Sequence, residues 1–186
     1  MLNPTPSSPG LLFTSVLYRS DLFSQEDLKS HWEKLFGESF LFIPAFNPLA
    51  GYYAKEMGDE TLLQRFFLAS TQTFPRELLL STKLLSLDWE RVWAKEGKRM
   101  VNVDVGFLSL ENFLLATTKN YSHRIFIGQN MYADLTYQFV QGEFQTLPWT
   151  YPDYADSQKI EFFNWLRGYL LQKNTVPVKE TSFIKK

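Results

Sequence analysis

The 186-residue chain contains no cysteine, which excludes disulfides, thiolate metal ligands and a thiol nucleophile. Histidine occurs only twice, at His31 and His123, which argues against a histidine-based zinc centre with its three or four nitrogen, oxygen or sulfur ligands. Long apolar runs are missing as well. The longest, FLFIPAF at 40–46, is far short of the ~20 residues that cross a bilayer. Neither sign of charge is in excess: nineteen basic residues against twenty acidic ones leave a formal charge of -1, so no whole-molecule field attracts nucleic acid or anionic lipid. The phosphate-loop templates are absent too. Gly97-Lys98 is followed by Arg99 and preceded by Val92 where a Walker A motif needs Ser or Thr and Gly, and neither GxGxxG nor GxSxG occurs. Together with the lack of a basic-then-apolar N-terminal segment, the missing cysteine leads us to expect a reducing, cytoplasmic setting, without nucleic acid or membrane as partner.

What the chain does have is aromatic side chains, seventeen Phe, nine Tyr and five Trp. They supply a large core and a surplus that can line a pocket or a protein interface, including one between copies of the chain. The length suits one domain that buries roughly 70% of the surface its unfolded form exposes. Residues 1–10, MLNPTPSSPG, and 174–186 lack periodicity and are expected to be a disordered tail and a flexible tail around a single α+β domain at 11–173.

Within that body LLFTSVLYR has the β-branched and aromatic content of a strand. Ser24 with Asp27 makes a near capping box, Phe23 can staple to Leu28, and Leu28, Trp32, Leu35 and Phe36 form a helical apolar stripe that stops at Gly37. FLFIPAF reads as a second strand, at an edge or interrupted at Pro44. A polar turn around GYYAKEMGDE leads to the strand LLQRFFLAS, and Pro75 opens a mainly helical stretch in which LLLSTKLL is either helical or extended. RMVNVDVGFL alternates, with Val101, Val103, Val105 and Phe107 on one side and Asn102, Asp104 and Gly106 on the other. This β-α-β-β-α-β order predicts the ferredoxin-like split unit. Two C-terminal hairpins extend it. In the first, a three-residue loop Gly128–Asn130 sets Arg124 against Asp134, Ile125 against Ala133, Phe126 against Tyr132 and His123 against Leu135; in the second, Gln141-Gly142 aligns Phe139 with Phe144. A closing helix capped by Asp156 turns Ile160, Phe163, Leu166 and Leu170 inward.

The alternation collects Asn102, Asp104, Arg124, Asp134, Thr136 and Gln138 on one polar sheet face. Two carboxylates on a shared face suit a hard cation such as Mg²⁺, whose remaining positions water can fill, so Asp104 and Asp134 are the candidate metal ligands. The plainer alternative is a surface salt bridge between Arg124 and Asp134, worth about 0.2–1 kcal/mol. Residues 117–124, TTKNYSHR, concentrate donors between two apolar runs. On a loop entering a strand, Lys119, Tyr121, Ser122, His123 and Arg124 can converge on a phosphate or carboxylate, or the segment is a hydrogen-bonded turn. Strict alternation would send His123 and Arg124 to opposite faces.

The blocks KRMVNVDVGFLSLENFLLATTKNYSHRIFIGQNMYADLTYQF, the preceding YYAKEMG and the following WTYPDY resemble the bacterial family known as domain of unknown function 4416. Where members of that family often carry proline after the aspartate that matches Asp104, this chain has Val105. The resemblance implies a shared fold and a shared site at Glu56, Asn102, Asp104, Lys119, Tyr121, His123 and Arg124, and brings no established activity. The resulting expectation is a phosphorylated or carboxylated small-molecule ligand, a nucleotide among the options, bound by Glu56, Asn102, Lys119, Tyr121 and Arg124. Asp104, Asp134 and His123 are the candidate catalytic groups for metal-assisted hydrolysis or transfer. The alternative is a non-catalytic module that binds a protein or itself through its aromatic surplus.

Overall fold

The computed structural model describes residues 7–45, 47 and 49–175; the expected tails lie largely outside the described residues. Gly10, at the boundary of the first, already forms a β-bridge with Phe74. The described residues are mixed α/β, with four α-helices and one eight-stranded antiparallel sheet. In chain order the elements are β1 (Leu11–Arg19), α1 (Gln25–Phe36), β2 (Ser39–Phe42), α2 (Ala50–Met57), β3 (Leu63–Ser70), α3 (Leu78–Val92), β4 (Val101–Leu108), β5 (Asn112–Thr117), β6 (Arg124–Gly128), β7 (Met131–Val140), β8 (Glu143–Thr146) and α4 (Ser157–Thr175). The strands lie in the order β2-β3-β1-β4-β5-β7-β6, with β8 on the same edge of β7 as β6 but farther along.

Both faces of the sheet are covered. On one, Leu12, Val16, Val101, Val103, Val105 and Phe107 pack against Leu28, Trp32 and Phe36 of α1 and Leu79 and Trp89 of α3. On the other, Phe13, Phe67, Phe113 and Tyr137 pack against Phe163, Leu166 and Leu170 of α4. Burying each such Phe or Leu contributes about 1.5–3 kcal/mol, and these two layers fix which side chains of each strand face which helix. The Ser24 hydroxyl accepts from the Asp27 N–H at 3.1 Å and so caps α1. Leu35, assigned to its apolar stripe, is instead 55% exposed, because three residues at 28, 32 and 36 already span the contact.

Three local expectations are corrected. GYYAKEMG is helix α2 rather than a turn: Tyr53, Ala54 and Met57 share one helical face and pack on Leu17 and Leu63, and this contact outweighs Gly51 and Gly58 as breakers. Asn112–Thr117 is a strand that the hairpin reading left out, and it is the strand that joins β4 to β7. The β6–β7 register is the expected one at Arg124, Ile125 and Phe126. Its turn, however, has two residues, Gln129 and Asn130, both at positive φ, and the extra residue is taken up as a bulge before Gly128. The β7–β8 register, Phe139 with Phe144 and Gln138 with Gln145, is as expected.

Candidate functional site

Pairing between β4 and β5 is confined to Gly106–Leu108 against Phe113–Leu115. Beyond that short ladder the two strands part, which would leave the outer backbone groups of β4 without a partner strand. Two side chains from α3 replace it: the Val103 N–H donates to Glu90 Oε1 at 2.7 Å, and Lys83 Nζ donates to the Val103 carbonyl at 2.9 Å. The opening so propped holds a cavity of about 620 Å³, within the range of small-molecule sites. Asn102 and Asp104 form its β4 wall, Lys119, His123 and Arg124 the opposite wall, and Tyr53 of α2 with Asp153 lies across it.

The far wall is organised by one buried ion pair. Arg124 Nε donates to Asp134 Oδ2 at 2.8 Å, with the two side chains 3% and 2% exposed. Arg124 Nη1 donates to the Lys119 carbonyl at 2.8 Å, Nη2 donates to the Tyr151 hydroxyl, and the guanidinium lies over the Tyr121 and Tyr151 rings. The expected solvated salt bridge is therefore a buried one, and Arg124 spends its donors on the protein. Its partners, together with the Thr117 hydroxyl that accepts from the Lys119 N–H at 3.1 Å, shape residues 117–124 into a hydrogen-bonded turn that also lines the cavity. Regular extension begins only at Arg124, which frees His123 from strand alternation. Its Nε2 comes within 3.3 Å of Asp134 Oδ2, and its ring stacks on Trp149 at 4.9 Å. The expected pairing of His123 with Leu135 does not form.

The near wall is a second network. Arg65, 1% exposed, donates to the Ser15 hydroxyl at 2.8 Å, sits 2.9 Å from Asp153 and is 4.0 Å from Asp104. Burial opposes its charge, but Asp153, Tyr154 and Asp104 hold the guanidinium protonated. Burial pushes the Asp153 carboxyl above the usual range against the pull of Arg65, and it pushes the Tyr53 phenol up as well. Asn102 Nδ2 donates to Asp104 Oδ2 at 3.0 Å, while Arg99 donates to Asn102 Oδ1 at 2.7 Å and pairs with Glu56. Glu90, 3.5 Å from Arg99, has its carboxyl raised by burial.

Asn102, Asp104, Lys119, Tyr121, His123, Arg124 and Asp134 thus all line one cavity. Glu56 reaches it only through Arg99. Asp104 and Asp134 face each other across β5 and two residues of register, about 12 Å apart between Cα atoms by strand geometry. Among the described residues no group of three His, Asp or Glu side chains could hold a metal ion. Sequence reasoning missed Lys83, Glu90, Arg99, Arg65 and Asp153. Arg65 had a legible signal, a charge at the inward position between Leu63 and Phe67 of an alternating strand. Lys83 and Glu90 had none, because their partner is the backbone of a strand that parts from its neighbour.

Among the described residues no helix is long and apolar enough to cross a membrane. No curated protein and no solved structure matches the chain. The model of one family, described as a domain of unknown function, DUF4416, matches residues 8–169, and the chain belongs to that family.

Proposed function

We propose that the chain binds a small phosphorylated or carboxylated molecule in the cavity between β4 and β5, with Lys119 at the anionic group. The observation that carries this reading is a concentration of unmet hydrogen-bonding capacity around one space. Among residues lining the cavity, Arg99 Nε and Asp134 Oδ1 are buried without a hydrogen-bond partner in the protein, and His123 Nε2 has only its 3.3 Å contact with Asp134 Oδ2; groups of this kind call for a partner such as water, an ion or a ligand. Among the described residues around the cavity, Lys119 is the lysine available for the anion: Arg65, Arg99 and Arg124 each have a carboxylate, and Lys83 is bonded to Val103. Arg124 supports the site by bracing the Lys119 turn. His123 and Asp134, looking into the same space, supply the acid–base pair that hydrolysis or group transfer requires.

The strand order β2-β3-β1-β4, all antiparallel with α1 and α3 on one face, supports a ferredoxin-like split unit as the frame. The cysteine-free composition supports a cytoplasmic setting.

The test is thermal unfolding of wild type and Lys119→Met with inorganic phosphate, pyrophosphate and citrate. Wild type is expected to gain melting temperature as the concentration of at least one anion rises, and Lys119→Met to lose most of that gain; a wild type unmoved by all three overturns the reading. A rival reading, self-association through Ile125 and Phe126 on edge strand β6, 69% and 60% exposed, requires instead a concentration-dependent dimer in sedimentation of the same samples.

A further inference from the structure

Lys119 has a counterpart of opposite sign across the cavity. Asp153 belongs to Arg65 at 2.9 Å, Asp134 to Arg124 at 2.8 Å, and Glu90 and Glu56 to Arg99. Asp104 is left over. Its nearest cation, Arg65, stands at 4.0 Å and is engaged more closely by Asp153. The Asp104 side chain is 28% exposed, and it lines the cavity rather than the outer surface. Asn102 donates to its Oδ2 at 3.0 Å and is itself held by Arg99, so the carboxylate is oriented while part of its acceptor capacity stays open. Asp134, 2% exposed, adds the unpartnered acceptor Oδ1 on the far wall, beyond β5.

An oriented carboxylate on one wall and a lysine on the other put charges of opposite sign on the two sides of the cavity. A ligand with an anionic group alone would satisfy Lys119 and stand against Asp104 with like charge. One that also carries a protonated amine satisfies both. Asp104 lies on β4 past the end of its ladder with β5, and Lys119 in the turn that follows β5, so the probes of the test span several chain lengths.

On the reading that the cavity takes a carboxylated or phosphorylated molecule, we infer that the ligand is a small zwitterion, an amino acid or a phosphorylated or phosphonylated amine, with its ammonium on Asp104 and its acid group on Lys119. The site accepts the ammonium through charge-assisted hydrogen bonds to Asp104, and Asn102 acts as the positioning residue that sets the carboxylate.

The experiment is calorimetric titration of the full chain with matched sets of a zwitterion and its single-charge halves. The probes are 4-aminobutyrate with butyrate and butylammonium, 3-aminopropylphosphonate with propylphosphonate and propylammonium, and glycine and 6-aminohexanoate with acetate and hexanoate. In at least one set the zwitterion is expected to bind tighter than its single-charge halves by about tenfold or more, the smallest gain expected of a charge-assisted hydrogen bond. Asp104→Asn, nearly isosteric, is expected to erase that preference without weakening the acid half, whose like-charge repulsion it removes, whereas Lys119→Met weakens both. If the acid halves bind as tightly as the zwitterions in every set, or Asp104→Asn keeps the preference, the inference fails and anion binding stands. If nothing binds in any set, both fall. The wild-type comparison decides between these outcomes even if Asp104→Asn does not fold.

Discussion

Replacing Asp134 by alanine leaves the Arg124 guanidinium buried, charged and without the acceptor of its Nε–H. The side chains of the pair are 3% and 2% exposed, so the orphaned charge is poorly screened, and breaking such a pair from one side costs about 3–5 kcal/mol. The same bond at a surface would cost about 0.2–1 kcal/mol. For a chain of this length about 1 kcal/mol moves the melting temperature by 2–4 °C, so Asp134→Ala is expected to lower it by about 6–20 °C. The assay is urea unfolding of wild type, Asp134→Ala, Arg124→Met and the double variant. The two single variants are expected to be costly and the double variant to cost much less than their sum, because it removes the orphaned charge along with the pair. A cost below about 1 kcal/mol for Asp134→Ala would show that the pair is solvated, and would refute the buried-network account of the cavity's far wall.

Two further outcomes test the frame around the site. A Cβ at Gly106 would stand 2.7 Å from the Phe113 ring and 2.8 Å from the Leu114 carbonyl, so Gly106→Ala is expected to push β5 off β4 where their ladder is shortest and to cost about 1–3 kcal/mol in urea unfolding; an unchanged midpoint would show that the ladder gives freely. His31, its ring edge-on to Trp89 and Trp93, has its imidazole held below the usual range, first by burial and then by Lys34. The unfolded chain therefore binds the proton more readily, and stability is expected to fall as pH drops below about 6.5, by an amount that His31→Phe removes. Parallel stability–pH curves for the two proteins between about pH 5 and 6.5 would overturn this.

Alternation in RMVNVDVGFL was enough to put Asn102 and Asp104 on one side of β4, and one short turn was enough to set Arg124 against Asp134. Those features depend on neighbours in sequence: the pleat's period of two, the helical period, and turn residues that tolerate positive φ. The same locality explains the misses. GYYAKEMG contains two glycines and reads as a turn until Leu17 and Leu63 offer its Tyr53 and Met57 something to pack against. His123 reads as facing the apolar side until the start of β6 is known. Arg65 was visible as a charge at an inward position, but not what would receive it.

By itself the sequence determined the family, most of the elements, the register of the two C-terminal hairpins and the residue types of the polar set at 102, 104, 119, 123, 124 and 134. Only the tertiary structure decided that β5 runs between β4 and β7, that it parts from β4 past Leu115, and that Lys83 and Glu90 hold the gap. Lateral strand order and the depth of a gap are set by packing between residues distant along the chain, and no local periodicity carries that information.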